Sequence, residues 1–276
     1  MSTLHLLTWN VWGKNADWQA RETALLAAIT EAKPDIIAIQ EAWSEPCGMT
    51  QTARIADALG FSHHIQADSP APICLRSLGV ISRWPITTHQ VLTLPAGGQP
   101  DEHRIALRTA IATPSGDLPL ITTHLNWRLD HTAVRQAQVR HLAEVTAEVD
   151  NHDGWPTVLC GDFNAVPDSD EIRMLTGLTT LPVPGVVFQD AWTTAGDGSP
   201  GHTWNHDNPH AAAEHLGSAR IDYLLVRWHP DRRGIILQAA MIHGRHGDVW
   251  ASDHFGLSVT LSRAEAPPPN RRTWPP

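Results

Sequence analysis

The sequence predicts an α/β fold in which two packed sheets, mixed or antiparallel, are flanked by helices. The first observation behind this is that short apolar runs alternate with amphipathic stretches from about Leu4 to Leu261. The second is that six of those runs meet an isolated Asn, Glu, His or Asp at one end. The third is direction: four runs end in the polar residue and two begin with it. If all six polar ends share one rim, four strands run towards it and two run away. That requires antiparallel or mixed pairing and excludes an all-parallel barrel.

Taken in order, residues 4–9 form an apolar run leading into Asn10. Residues 16–32 place Trp18, Leu25, Leu26 and Ile29 at helical spacing, and Pro34 stops the helix. Residues 35–40 are a second run, leading into Glu41. A helix over 50–59 ends at Gly60, and 79–82, 86–94 and 104–112 read as strands joined by Pro- and Gly-containing turns. Residues 118–123 lead into His124. The longest helix is predicted over 132–149, with Val134, Ala137, Leu142, Val145 and Val149 on its buried face. Residues 157–161 lead into Asp162, and a short strand at 202–204 is bracketed by loops at 196–201 and 206–218. Asp222 opens the run 223–226, and Asp253-His254 open 255–261. Residues 1–262 read as one domain, and 263–276 as a Pro/Arg-rich tail, extended or disordered.

Composition narrows the function classes. With 42% hydrophobic residues the 276-residue chain can bury a full core. A formal charge of −9 disfavours non-specific gripping of long nucleic acid, which relies on a basic face. Cys47, Cys74 and Cys160 are odd in number and lack metal-like spacing, which points to a reducing compartment. A first strand starting near Leu4 leaves no room for a secretory leader, and no stretch approaches a membrane span. The expectation is a cytoplasmic monomer.

The polar ends suit phosphoester chemistry, which needs a cation on the phosphoryl oxygens, a positioned water and a stabilised leaving group. Glu41 and Asp253 offer the hard oxygen ligands that Mg²⁺ or Mn²⁺ prefers, and Asn10 can hydrogen-bond or complete the shell. Asp162 and Asn164 are two apart at a strand exit and can project together, the carboxylate orienting a water and the amide holding a phosphoryl oxygen. His254 can be oriented by Asp222, and His124 is a second imidazole.

Thr8-Trp9-Asn10, Gln40-Glu41, Thr123-His124-Leu125, Gly161-Asp162-Phe163-Asn164, Arg220-Ile221-Asp222-Tyr223 and Ser252-Asp253-His254 occur in the order seen in the endonuclease/exonuclease/phosphatase superfamily, and the resemblance spans residues 4–261. The resemblance implies a four-layered α/β sandwich and metal-dependent phosphoester hydrolysis. It makes Glu41 the principal metal ligand with Asn10 and Asp253 near it, places Asp162 and Asn164 at the nucleophilic water and phosphate, and pairs His254 with Asp222. His124 matches the family's other phosphate-facing histidine. Two departures stand out. Trp12 occupies a position where some members carry an acid, and residues 46–100 contain no Glu to support His124. A small phosphorylated molecule or nucleotide is the favoured substrate, a nucleic acid substrate follows, and a sphingomyelin-like lipid headgroup trails for want of an exposed apolar insertion. A catalytically silent binding protein is disfavoured because binding alone would not require both acid-base and metal groups.

Other signals remain beside this set. His202, His206 and His210 are spaced by four, but Thr203-Trp204 and Asn208-Pro209 oppose the helix that zinc would need, so they read as loop residues near the mouth. Trp9, Trp84, Trp192 and Trp228 read as core, whereas Trp12, Trp43, Trp127 and Trp250 lie close to proposed site groups. Arg104, Arg128 and Arg135 are candidates to meet a substrate phosphate.

Overall fold

In the computed structural model, which describes residues 2–68, 77–98, 103–149, 154–213, 216–229 and 234–263, the apolar runs become strands of two six-stranded mixed sheets. In chain order the elements are β1 (Ser2–Asn10), α1 (Trp18–Ala32), β2 (Ile36–Ala42), α2 (Gln51–Leu59), β3 (His63–Ala67), β4 (Ser77–Ser82), β5 (Ile86–Thr93), β6 (Ile105–Thr113) and β7 (Gly116–His124). They continue as α3 (Thr132–Glu148), β8 (Val158–Asp162), α4 (Asp170–Thr176), β9 (Phe188–Asp190), α5 (Ala191–Ala195), α6 (Pro209–Ala212), β10 (Asp222–Arg227), β11 (Ile235–Ile242), β12 (Arg245–His246), β13 (Val249–Trp250) and β14 (Gly256–Arg263). The strand orders are β11-β14-β1-β2-β4-β3 and β5-β6-β7-β8-β10-β9.

The direction inference holds in the pairing itself. β1 and β2 are parallel, β7 and β8 are parallel, and β14 and β10 run antiparallel to β1 and β8. Leu4, Leu6, Ile36 and Ala38 from the first sheet meet Leu118, Leu120, Val158 and Leu224 from the second in one inter-sheet core. The outer faces are covered separately. Ala24, Leu25 and Ile29 of α1 and Ile55 of α2 pack on the first sheet, and Val139, Leu142 and Val145 of α3 with Ile172 of α4 pack on the second. Helices, sheet, sheet and helices make the four layers of the sandwich.

Helix ends follow local chemistry. Asp17 caps α1 by accepting from Ala20 N, which starts the helix two residues later than expected, and Thr50 caps α2 by accepting from Ala53 N. Gly60 closes α2 in the left-handed conformation at φ 67°. The buried stripe of α3 is rotated from the predicted one: Val134, Gln138, Val139, Leu142, Val145 and Thr146 face inward, whereas Ala137 and Val149 do not. Polar Gln138 displaced the apolar reading because its amide is satisfied internally. The predicted strand at 202–204 is only a bridge, Trp204 pairing with Ala219 and His254. Trp228 is 49% exposed and not core, because it follows the end of β10. Of the tail expected over 263–276, Arg263 belongs to β14 and residues 264–276 lie outside the described residues. No described helix is long and apolar enough to cross a membrane.

Candidate active site

Strand alternation builds the site. Along β1 the inter-sheet face reads Leu4, Leu6, Thr8, Asn10, and along β8 it reads Val158, Cys160, Asp162, so each strand goes from apolar to functional at the rim. Register brings the ends level: His124 stands opposite Asp162 on β7 and β8, and Asp162 opposite Asp222 on β8 and β10. Gly161, at φ 131°, is required here, since a Cβ would lie 2.0 Å from Thr123 O. Glu41 needs a different device, because simple alternation after Gln40 would send it to the helix side. The β2–β4 register shifts between Gln40 and Ala42, and Glu41 adopts φ 58°, so the extra residue turns its carboxylate to the same rim. That left-handed conformation costs about 1–2 kcal/mol in a non-glycine residue.

The strand-end residues converge. Asn10 Nδ2 donates to Glu41 Oε1 (3.1 Å) and to Asp162 Oδ2 (3.0 Å), while Asn10 Oδ1 accepts from Trp12 N (3.1 Å). The amide therefore organises two carboxylates and presents its NH₂ to them. Asp162 Oδ1 accepts from Asn164 N (2.9 Å), and Asn164, at φ 48°, donates its own Nδ2 to Leu125 O (3.1 Å). His254 Nδ1 lies 2.8 Å from Asp222 Oδ2, which leaves Nε2 facing Asp162 Oδ2 at 3.8 Å. His124 sits between the two carboxylates that Asn10 joins, 3.4 Å from Asp162 Oδ2 and 3.9 Å from Glu41 Oε1. Ligand atoms of Asp162, Asp222 and His254 lie within 4.8 Å of one another.

Burial sets the charges. It pushes Asp162 up to about 6, with the neighbouring Asp222 adding to the shift, and pushes Asp253 up to about 7 against the pull of His254. Burial also raises Glu41, opposed first by the hydrogen bond from Asn10. Burial alone would lower His254, but the charge and hydrogen bond of Asp222, then Asp162 and Asp253, hold it well above the ordinary imidazole value. Each of these groups binds its proton more tightly folded than unfolded. The aspartates' contribution to stability is thus present below about pH 4 and lost as pH rises through their raised values, and the His254 contribution is lost in the same direction. In chelator, Tm should therefore fall between about pH 5 and pH 8, a window bracketing the Asp162 and Asp253 values. A metal-free Tm that rises over this window would show that these carboxylates ionise at much lower pH.

Several supporting residues were not singled out by sequence reasoning. Ser252 Oγ donates to Asn10 O (2.6 Å), lies 3.1 Å from Asp253 Oδ1, and accepts from His254 N (3.2 Å). Thr203 Oγ1 accepts from Ile221 N and Asp222 N, both at 3.1 Å, and fixes the start of β10. Arg21 on α1 is buried and aims its guanidinium at five backbone carbonyls, those of Val11, Trp12, Gly13, Asn15 and Ala251, tying the loop after β1 to the loop that carries Asp253. Its only sequence signal is an arginine one turn into a helix, which reads as surface. Trp204 packs edge-on against the His254 ring at 5.0 Å.

Other expectations change. His206 Nε2 donates to Leu216 O, His210 packs on Trp12 at 4.8 Å, and His202 lines a separate cavity of about 540 Å³ beside Arg220 and Trp192, so these three described histidines do not converge on one centre. Arg135 is unavailable to a phosphate because its Nε donates to buried Glu171 (2.9 Å) and its Nη1 to Asn126 O and Arg128 O. Arg104 is buried and acts electrostatically on Glu41, and Arg128 is exposed over the Trp127 ring at 5.5 Å. Trp127 and Leu129 are 54% and 72% exposed on the loop after His124.

This arrangement belongs to a class. A family model described as the Endonuclease/Exonuclease/phosphatase family matches residues 7–254, and the chain belongs to that family, one of phosphoesterases and nucleases. No curated protein matches the sequence. Among solved structures, D. rerio TDP2 complexed with single strand DNA product is similar at a TM-score of 0.75 and 18% identity, covering 95% of this chain and 100% of that one. An endonuclease/exonuclease/phosphatase from Bacteroides vulgatus reaches 0.74 at 17% identity, covering 96% and 100%. Truncated Caenorhabditis elegans TDP2 reaches 0.69 at 20% identity, covering 94% and 97%. At these identities the likeness is one of fold.

Proposed function

We propose that the protein is a divalent-metal-dependent hydrolase that cleaves a phosphomonoester or phosphodiester of a small molecule or nucleotide by in-line attack of water. The observation that carries this reading is the His254–Asp222 pair at 2.8 Å beside Asp162, a second carboxylate whose burial moves it towards neutrality. Glu41 and Asp253 fit a Mg²⁺ or Mn²⁺ ion, being hard-oxygen donors at the rim whose ionised forms burial disfavours, with Glu41 adding to the rise at Asp253, so that a cation would relieve them. When bound, the ion supplies charge stabilisation on the phosphoryl oxygens. Asn10 holds Glu41 and Asp162 in place through one amide nitrogen. Asp162, with an affinity for protons raised to about 6, is suited to take one from the attacking water near neutral pH. His254, kept cationic by Asp222, hydrogen-bonds the phosphoryl group or protonates the departing oxygen, and His124 steadies the same oxygens from the β7 side. Asn164 retains one amide hydrogen for the phosphate after its bond to Leu125 O.

The cation inventory favours a small substrate. Of the two lysines, Lys14 pairs with Glu45 and Lys33 ends α1. Arg21, Arg135 and Arg220 are committed to carbonyls, Glu171 and Asp190. These commitments support recognition of one or two phosphates by arginine over a diffuse grip on many. The likeness to a TDP2 structure holding single strand DNA product supports a second reading, hydrolysis at a short single strand.

Turnover of plasmid DNA, single-stranded oligonucleotides, mononucleotides and small phosphoesters, with Mg²⁺ and with Mn²⁺ at matched near-physiological salt, tests the choice. The expected order puts mononucleotides or small phosphoesters first and plasmid last. Highest kcat/KM on plasmid or duplex DNA would overturn the small-substrate reading.

A further inference from the structure

We propose that Gln40 is a positioning residue that ties the two sheets together directly beneath the site and so sets the spacing between Asn10 and Glu41 on one sheet and His124 and Asp162 on the other. This rests on the hydrolase reading only in assigning a reaction to those four residues. Gln40 Nε2 donates to Thr8 Oγ1 (3.1 Å) on neighbouring β1 and to Thr122 Oγ1 (3.0 Å) on β7, across the inter-sheet space. Thr8, Thr122 and Cys160 each lie two residues before a site residue, namely Asn10, His124 and Asp162. By strand alternation they form one layer on the same face. All four members of the layer are buried. Below this layer the core is apolar, with Leu6, Ala38, Leu120, Val158 and Leu224.

Gln40 is a poor residue for stability at this depth. Its Oε1 is buried without a hydrogen-bond partner among the described residues, a penalty an apolar side chain would avoid. Its location accounts for its presence. It precedes the bulged Glu41, its carbonyl accepts from Val11 N (2.9 Å) just past Asn10, and it stands opposite Asn10 in the parallel register. Immobilising Gln40 therefore fixes the backbone of two site residues and links them through Thr122 to the strand that ends in His124.

The test compares wild type with Gln40→Met, Thr122→Val and the double variant. It uses bis(4-nitrophenyl) phosphate and a mononucleotide as substrates, Mn²⁺ alone as the metal probe, and the ring NMR signals of His124 and His254. Gln40→Met should leave Tm unchanged or raised while kcat falls about tenfold to a hundredfold with KM nearly constant. Mn²⁺ binding without substrate should weaken by about tenfold, both imidazole signals should move, and Thr122→Val should add little to Gln40→Met. A Tm that drops in step with activity, or unchanged imidazole signals and Mn²⁺ affinity, overturns the proposal. If wild type turns over neither substrate, the hydrolase reading is what suffers, and the imidazole signals still decide the role of Gln40.

Discussion

His254→Ala and Asp222→Ala should each lower kcat by about 10²–10⁴-fold, and the double variant should be scarcely worse than the worse single one. The reason lies in the 2.8 Å contact between His254 Nδ1 and Asp222 Oδ2, both side chains being almost wholly buried. Asp222 holds the ring so that Nε2 faces Asp162, and its charge keeps the imidazole protonated at neutral pH. Without Asp222 the ring loses both orientation and proton affinity. Without His254 the aspartate has nothing left to orient. Asp222→Asn separates these roles, since it keeps a hydrogen-bonding group but removes the charge, and it should shift the acidic-to-alkaline pH–rate profile downwards while losing less activity than Asp222→Ala. Single losses that simply multiply in the double variant would show that the two residues act independently.

Glu41→Gln should weaken Mg²⁺ or Mn²⁺ binding by at least about tenfold, with the lost rate partly restored by raising the ion. The change removes charge while retaining shape, and glutamine can still accept from Asn10 Nδ2 through its carbonyl oxygen. Because burial disfavours the ionised Glu41, its neutral replacement should fold at least as well in chelator. Calorimetric titration of Mn²⁺ into the substrate-free variant gives the affinity directly. Unchanged metal dependence would remove Glu41 from the ligand set and turn attention to the Asp162–Asp222–His254 cluster.

Much of the layout was legible because strand direction and terminal polar residues are written locally. The runs before Asn10, Glu41, His124 and Asp162, and after Asp222 and Asp253, were enough to require antiparallel or mixed pairing once they share one rim, whereas the particular partnerships of β1 with β2 and of β7 with β8 are seen only in the structure. Long-range satisfaction was not legible. Arg21 reads as a surface residue until its five carbonyl partners, drawn from loops up to 230 positions away, are seen. Gln138 is polar yet lies on the buried face of α3, where its Nε2 donates to Asn126 Oδ1 (2.6 Å) and Pro95 O (3.0 Å). The Glu41 bulge is equally hidden, since a period-two pattern contains no mark of the extra residue that breaks it.

The pairing of β1 with both β2 and β14 has a consequence for how the protein comes into being. β1 sits inside its sheet, but one neighbour is the next strand in sequence and the other is the last described one, with Ser2 opposite Arg263. During synthesis β1 can dock on β2 early, yet its other side stays an open edge until β14 is made, because contacts of such separation form late. Asp253 and His254 stand just ahead of β14, so an incomplete chain has the acid-base partner Asp222 but not the imidazole it orients. Closing the sheet and completing the rim are thus the same late event, and a nascent fragment can neither bury its first strand nor bring His254 to Asp222.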